Sequence, residues 1–192
     1  LKNTLEKNFH LQADGYIAVN FAMMITLIDA IGGVDIEVEE QELKPLNGIL
    51  EYYNYQNGKP EAEGRLEQAG MQHLSGLQAM SYARIRKIDG DYERVGRQQR
   101  VMMAIFNRMK NMQPEELMDI MMQQIDFVAT DVTIATAVSM MQDVVAMDTI
   151  DTRYLRIPVS RSSRNTVLNK AYFIIPNLEK NQKAISEFLN KP

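Results

Sequence analysis

The chain has 192 residues, 45% of them hydrophobic and 24% charged, with a net charge of −4. That is enough for one folded domain with a full hydrophobic core, and it excludes a disordered or collagen-like chain. The absence of cysteine excludes disulfides, thiolate nucleophiles, zinc–thiolate sites and iron–sulfur clusters, and no apolar run approaches the roughly 20 residues that a bilayer span needs.

Tyr16 to Asn20 predicts a short strand, and Phe21 to Ile31 has apolar groups at helical spacing, ended by Gly32-Gly33. Val34, Ile36 and Val38 alternate with Asp35, Glu37 and Glu39, the pattern of a half-buried strand. Strand, helix, glycine turn and strand in succession predict an α/β layered domain, with a right-handed crossover if the strands are parallel. From Gln41 to Gly70 the interruptions at Pro45, Gly48, Gly58, Pro60 and Gly64 predict a long polar excursion rather than core. Ser75 is placed to cap a short helix from Gly76 to about Ala83, and a longer helix from about Tyr92 to Lys110 follows the Asp89-Gly90-Asp91 turn. Met102, Ile105, Phe106 and Met109 are its expected buried stripe. Helices near 114–127 and 132–147 come next, the first with Pro114 in its opening turn and the second capped by Thr130 or Asp131. Tyr154–Val159 and Ala171–Ile175 are expected as strands, and Asn177–Leu189 as a closing helix. The whole chain, 1–192, is expected to be a single domain.

Charge is unevenly placed. Residues 1–70 hold twelve acids against five bases, whereas Arg84 to Arg100 hold six bases against three acids and Arg153 to Arg164 hold four bases and no acid. In the stretch from Tyr82 to Gln98, alternation puts Arg84 and Arg86 on one side if the segment is extended. Arg94, Arg97 and Gln98 share a face near the start of the next helix. Guanidinium forks bind phosphate oxygens bidentately, so four of them around one turn suit a diphosphate. Charge pattern alone equally allows a structural network in which Asp89, Asp91 and Glu93 neutralise these arginines. Arg161-Ser162-Ser163-Arg164 reads either as a contact to an anionic polymer or as a plain loop. The fourteen methionines are read as core packing, and His10 and His73, far apart in sequence, as surface or core histidines. Net charge and the lack of aromatics among the arginines argue against nucleic-acid binding.

The segment from Arg84 to Gln98, with its arginine-x-arginine, aspartate turn and helical arginine and arginine-glutamine, resembles the signature of the LytR-CpsA-Psr family. Asp29-Ala30-Ile31-Gly32-Gly33-Val34-Asp35 resembles that family's helix-to-strand turn, and Gly70 to Gly76 its approach to the signature. The resemblance implies a three-layer α/β/α sandwich with a central mixed sheet, here incomplete at the N-terminus, around an apolar tunnel for a polyprenyl chain. Phe21–Ile28 and the methionine-rich helices are candidates for its lining. It implies a phosphotransferase that moves a polyprenyl-diphosphate-linked glycopolymer onto peptidoglycan outside the cell. A non-catalytic module binding polyprenyl phosphate or an anionic partner is the alternative.

By the same resemblance Arg84, Arg86, Arg94 and Gln98 hold the diphosphate, Arg97 supports them and Asp91 orients an arginine. Arg86, Arg94 and Asp91 are the catalytic candidates, with Asp89 a weaker one. The family's upstream aspartates and arginine-aspartate pair, which help hold Mg2+ in the complete domain, have no counterpart after Leu1. Asp14 reads as a turn residue and Asp29 as a helix-end residue, so no metal site is expected from this chain alone. The first strands and a membrane anchor are expected upstream, and self-association is expected to cover the apolar surface that missing strands leave.

Overall fold

The computed structural model describes residues 1–86, 88, 90–124, 127–147 and 153–190, with the side chains of Asp91 and Tyr92 excepted. In chain order the elements begin α1 (Lys2–Phe9), β1 (Ile17–Ala18), α2 (Phe21–Ala30), β2 (Val34–Val38) and α3 (Glu40–Gln56). They continue with β3 (Gly70–Leu74), α4 (Gly76–Ala83), α5 (Asp91–Lys110), α6 (Pro114–Gln124) and β4 (Ala129–Thr130). The last are α7 (Ile134–Ala146), β5 (Ser163–Leu168), β6 (Ala171–Pro176) and α8 (Leu178–Leu189). The expected mixed α/β class holds. Among the described residues the strands pair as three two-stranded sheets, β1–β4, β2–β3 and β5–β6, all antiparallel. The chain divides into two compact units, one of Leu1–Tyr16 and Asp151–Pro192, the other of Ile17–Ile150.

In the larger unit Asn20 opens α2, its side chain accepting from Met23 N at 2.8 Å. Gly32 and Gly33, at φ +81° and +87°, turn the chain into β2. A Cβ on Gly33 would lie 2.9 Å from the Leu74 carbonyl oxygen, so both conformation and space require glycine there. Along β2, Val34, Ile36 and Val38 are buried and Asp35 and Glu37 exposed, as the alternation predicts. The partner strand β3 runs in register from Val34 opposite Leu74 to Val38 opposite Gly70.

The expected polar excursion is corrected: its first part is α3, a 17-residue helix. A capping box starts it, with Glu39 N donating to Glu42 Oε2 at 3.1 Å. Pro45 removes one ladder bond, but Leu46 and Leu50 bury a face that offsets the loss. The loop after α3 is tied back by two buried asparagines. Asn47 exchanges bonds of 2.8 and 3.0 Å with the Leu66 backbone, and Asn54 donates to the carbonyls of Glu61 and Glu63 at 3.1 and 2.8 Å.

Two other expectations in this unit are corrected. The buried row of α5 is Arg97, Val101 and Ile105, whereas Met102 is 43% exposed and Phe106 and Met109 are half-buried. The cap of α7 is Thr133, not Thr130 or Asp131. Thr133 has the extended backbone a cap needs, and its hydroxyl accepts from Thr136 N at 3.2 Å.

In the smaller unit β5 and β6 form a hairpin through Asn169 and Lys170, whose φ angles of +49° and +65° belong to a two-residue type I′ turn. β5 takes the place of the strand expected at Tyr154–Val159. Among 153–159 no strand forms, since Pro158 has no N–H to give a ladder. Asn177 caps α8, accepting from Lys180 N at 2.9 Å, and buried Asn181 accepts from Val159 N at 2.9 Å. The helix α1, which the periodicity did not reveal, is joined to α8 by Gln182 Nε2 donating to the Asn8 carbonyl at 2.8 Å.

Candidate functional site

The site grows from the contact of α2 with α4. Ser75 caps α4 in a reciprocal box with Gln78, whose side chain accepts from Ser75 N at 2.7 Å. Gly76 N donates to Asp29 Oδ1 at 2.6 Å, and a Cβ on Gly76 would run into the Ile25 carbonyl. Two helix backbones therefore touch at that glycine, and Asp29 clamps them together. This fixes where α4 begins, and Arg84 is its C-cap residue at the other end.

Arg84 is thus at a helix terminus rather than in the extended segment expected. Its guanidinium carbon lies 4.8 Å from the centroid of the Phe21 ring and 5.1 Å from that of Tyr53. Aromatic faces attract a cation and leave the guanidinium edges to donate hydrogen bonds. Ile85 is fully buried and anchors the turn, while Arg86 stays exposed. The chain re-enters a helix at Asp91, so Arg94 and Gln98 stand one turn apart on the first half of α5.

These residues meet in one cavity of about 720 Å³, lined by Arg84, Arg86, Arg94 and Gln98 on the polar side and by Val19, Phe21, Met24, Met80, Val101 and Met102 among its apolar groups. Three guanidinium groups beside an apolar wall suit a ligand with a phosphate head and a hydrocarbon tail.

Arg97 is placed elsewhere. It is 1% exposed; its Nη1 lies 3.2 Å from Glu42 Oε1 and its Nη2 donates to the Ile85 carbonyl at 3.1 Å. This guanidinium is spent on a buried carboxylate and on the turn that carries Arg86, and Arg97 is not among the residues that line the cavity. Arg100 reaches the same Glu42 oxygen at 3.2 Å and lies over the Tyr82 ring at 5.5 Å. Burial first, and the Glu42 charge next, push the Tyr82 phenol well above its ordinary value. Asp89 and the side chain of Asp91 lie outside the described residues.

His73 bridges two acceptors, with Nδ1 2.7 Å from Asp35 Oδ1 and Nε2 2.8 Å from the Gly32 carbonyl, which ties the glycine turn to β3. Among the described residues no three histidine, aspartate or glutamate side chains gather to hold a metal ion, and no helix is long and apolar enough to cross a membrane. Phe21 was legible only as apolar lining. Tyr53 and Glu42 were not legible as parts of the site, because the segment that carries them reads as a polar loop.

The LytR_cpsA_psr family model matches residues 1–188. Among curated proteins the chain is 26% identical over 97% of its length to a polyisoprenyl-teichoic acid–peptidoglycan teichoic acid transferase, TagV of Bacillus subtilis. It is 35% identical over 55% of its length to the TagU protein of the same description from Bacillus mycoides. The chain spans 46% of TagV and 29% of TagU. Its fold is similar to the crystal structure of B. subtilis TagV, with a TM-score of 0.66 at 25% identity over all of this chain and 70% of that one. The crystal structure of B. subtilis TagT gives a TM-score of 0.69 over 98% of this chain and 65% of that one; at 18% identity that likeness concerns the fold alone.

Proposed function

The chain belongs to the LytR_cpsA_psr family, and from that premise we propose that the larger cavity receives the diphosphate of a polyprenyl-linked glycopolymer for transfer of the polymer to peptidoglycan. The observation that carries the reading is the convergence of Arg84, Arg86, Arg94 and Gln98 at one cavity whose other wall is apolar. In the transfer, a sugar hydroxyl attacks the phosphorus next to the glycopolymer. The P–O bond to the second phosphate breaks, polyprenyl phosphate leaves with the electron pair, and the hydroxyl proton passes to that phosphate or to water. Charge grows on the transferring oxygens and on the leaving phosphate, and fixed guanidinium groups stabilise it without having to reorganise.

In this reading Arg86 and Arg94 touch the reacting phosphates, while Arg84, held between Phe21 and Tyr53, presents its edge to the same group. Gln98 donates from one turn further along α5, and Asp91 orients an arginine. Met24, Met80 and Met102 offer adaptable contacts to an isoprenoid tail. A substrate of this kind places the work at the outer face of the cell membrane, with peptidoglycan as acceptor.

The test is retention of a short-chain polyprenyl diphosphate by Arg86→Ala and Arg94→Ala. Each loses a charge-assisted contact of about 1.5–3 kcal/mol, a fall of roughly ten- to a hundredfold in affinity, much larger than the accompanying loss of thermal stability. Equal thermal destabilisation with unchanged retention would identify a structural network and overturn the proposal. Release of polyprenyl phosphate on adding a peptidoglycan acceptor separates transfer from a module that only binds the carrier.

A further inference from the structure

The smaller unit has a cavity of its own, of about 440 Å³, at the junction of the turn before β5, the end of β6 and the start of α8. Arg161, Arg164 and Lys180 line it with Ser163 and Asn177, and no carboxylate does. Among the described residues no ion pair engages any of the three cations. Three like charges around one hollow repel each other at a cost in stability, which an anion between them would relieve.

The turn is built to hold them there. Ser162 is 1% exposed; its hydroxyl donates to the Val159 carbonyl at 2.7 Å and its own carbonyl accepts from Asn177 N at 2.6 Å. Asn181, fully buried, donates to the same Ser162 carbonyl at 3.3 Å. The backbone is thus pinned from beneath, and Arg161 is kept at φ +58°, a left-handed conformation that a bulky residue adopts only against a steric cost. Lys180 sits in the first turn of α8, where the helix dipole adds positive potential.

We propose that this cavity is a second anion site, which takes a phosphodiester of the polymer under transfer. The charge requirement stands on this geometry, and the identity of the polymer rests on the proposed function. A phosphodiester suits the place because arginine forks match two phosphate oxygens, and the volume leaves room for the groups esterified to it. Unlike the first cavity, this one offers only Ile175 and Pro176 as apolar side chains, which is poor lining for a hydrocarbon tail.

The test uses the whole chain and a short glycerol-phosphate oligomer that carries no lipid, followed by calorimetric titration at several salt concentrations. The expected result is that Arg164→Gln weakens oligomer binding about tenfold and Arg161→Gln with Arg164→Gln more, with a shallower salt dependence. Thermal unfolding checks that each variant is folded, and Lys170→Gln, a cation outside the lining, serves as the charge control and leaves binding unchanged. Arg86→Ala in the first cavity is expected to keep oligomer binding while losing polyprenyl diphosphate. Equal losses from Lys170→Gln and Arg164→Gln would show diffuse attraction and overturn the site. Inorganic phosphate binding as tightly as the oligomer would overturn the polymer assignment. Oligomer binding that persists when wild-type chain retains no polyprenyl diphosphate would defeat the proposed function and leave the anion site standing.

Discussion

Replacing Glu42 by alanine is the perturbation that most directly separates the arginines that hold the fold from those that face the cavity. Glu42 and Arg97 have side chains only 2% and 1% exposed, and the pair is 3.2 Å apart. Removing the carboxylate leaves a guanidinium in the core with the Ile85 carbonyl as a remaining partner. Breaking a buried pair by deleting one member costs about 3–5 kcal/mol, because the other charge stays desolvated. The cap bond from Glu39 N disappears as well, adding roughly 0.5–1.5 kcal/mol. Arg100, whose side chain is 41% exposed, regains water and adds little. A loss of about 4 kcal/mol corresponds to roughly 8–16 °C in midpoint for a chain of this size. Urea unfolding followed by circular dichroism reads the loss, and calorimetry the midpoint. Glu42→Leu with Arg97→Met removes both charges together and should recover most of the stability, since apolar pairs of similar volume often replace buried ion pairs at little cost. If that double variant is stable and retains polyprenyl diphosphate as well as wild type, Arg97 does not set the positions of Arg86 and Arg94, and the causal chain from the buried pair to the cavity is wrong. A loss below about 1 kcal/mol for Glu42→Ala would likewise refute the burial of the pair.

Phe21→Leu and Tyr53→Leu should each lower diphosphate affinity a few-fold, from the loss of about 0.5–1 kcal/mol of cation–π attraction that orients Arg84; affinity unchanged in both would mean that Arg84 needs no such holding. Lys170→Gly should raise the thermal midpoint, because the left-handed φ of +65° costs a lysine about 1–2 kcal/mol and glycine gives back only part of that in chain entropy; a lower midpoint would contradict the type I′ assignment. Tyr82 has its phenol pushed upward in the folded chain, so its contribution is fully present below the ordinary value of about 10 and is lost as pH rises above it. Alkaline denaturation should therefore start at higher pH in Tyr82→Phe than in wild type, and identical alkaline limbs would argue against this residue as the cause.

Helices with a strong local start were legible in the sequence. Ser75 caps the helix expected of it, the closing helix begins one residue later than expected with Asn177 as its cap, and the alternation from Val34 to Val38 gave the strand and its buried face. What failed was decided by tertiary contacts. The helix α3 carries Pro45 and Gly48, which read as breakers, and its existence rests on Leu46 and Leu50 packing inward and on Asn47 and Asn54 bonding a loop up to 19 residues away. No local pattern contains that information. The strand β5 was concealed for a related reason: Ser163, Arg164, Asn165 and Thr166 have no apolar alternation, and their extended shape comes from pairing with β6.

The arginines show how far spacing alone can go. Residues 94, 97 and 98 share a broad helix face, yet a step of one residue turns about 100° and a step of four only about 40°. Arg94 and Gln98 therefore stay on one row and reach the cavity together, while Arg97 falls on the row of Val101 and Ile105, four and eight residues on. Of that row the expected stripe held only Ile105 and Met109, so Arg97 at its head was not read as buried; an arginine there implies a buried carboxylate somewhere in the fold. Which carboxylate was not readable, since Glu42 is 55 residues away in a segment that looked like a loop. Once that partner is known, the order of causes runs from core to site. Glu42 holds Arg97, Arg97 fixes the rotation of α5 and the Ile85 carbonyl, and this leaves Arg86 on the turn and Arg94 on the helix facing the same hollow.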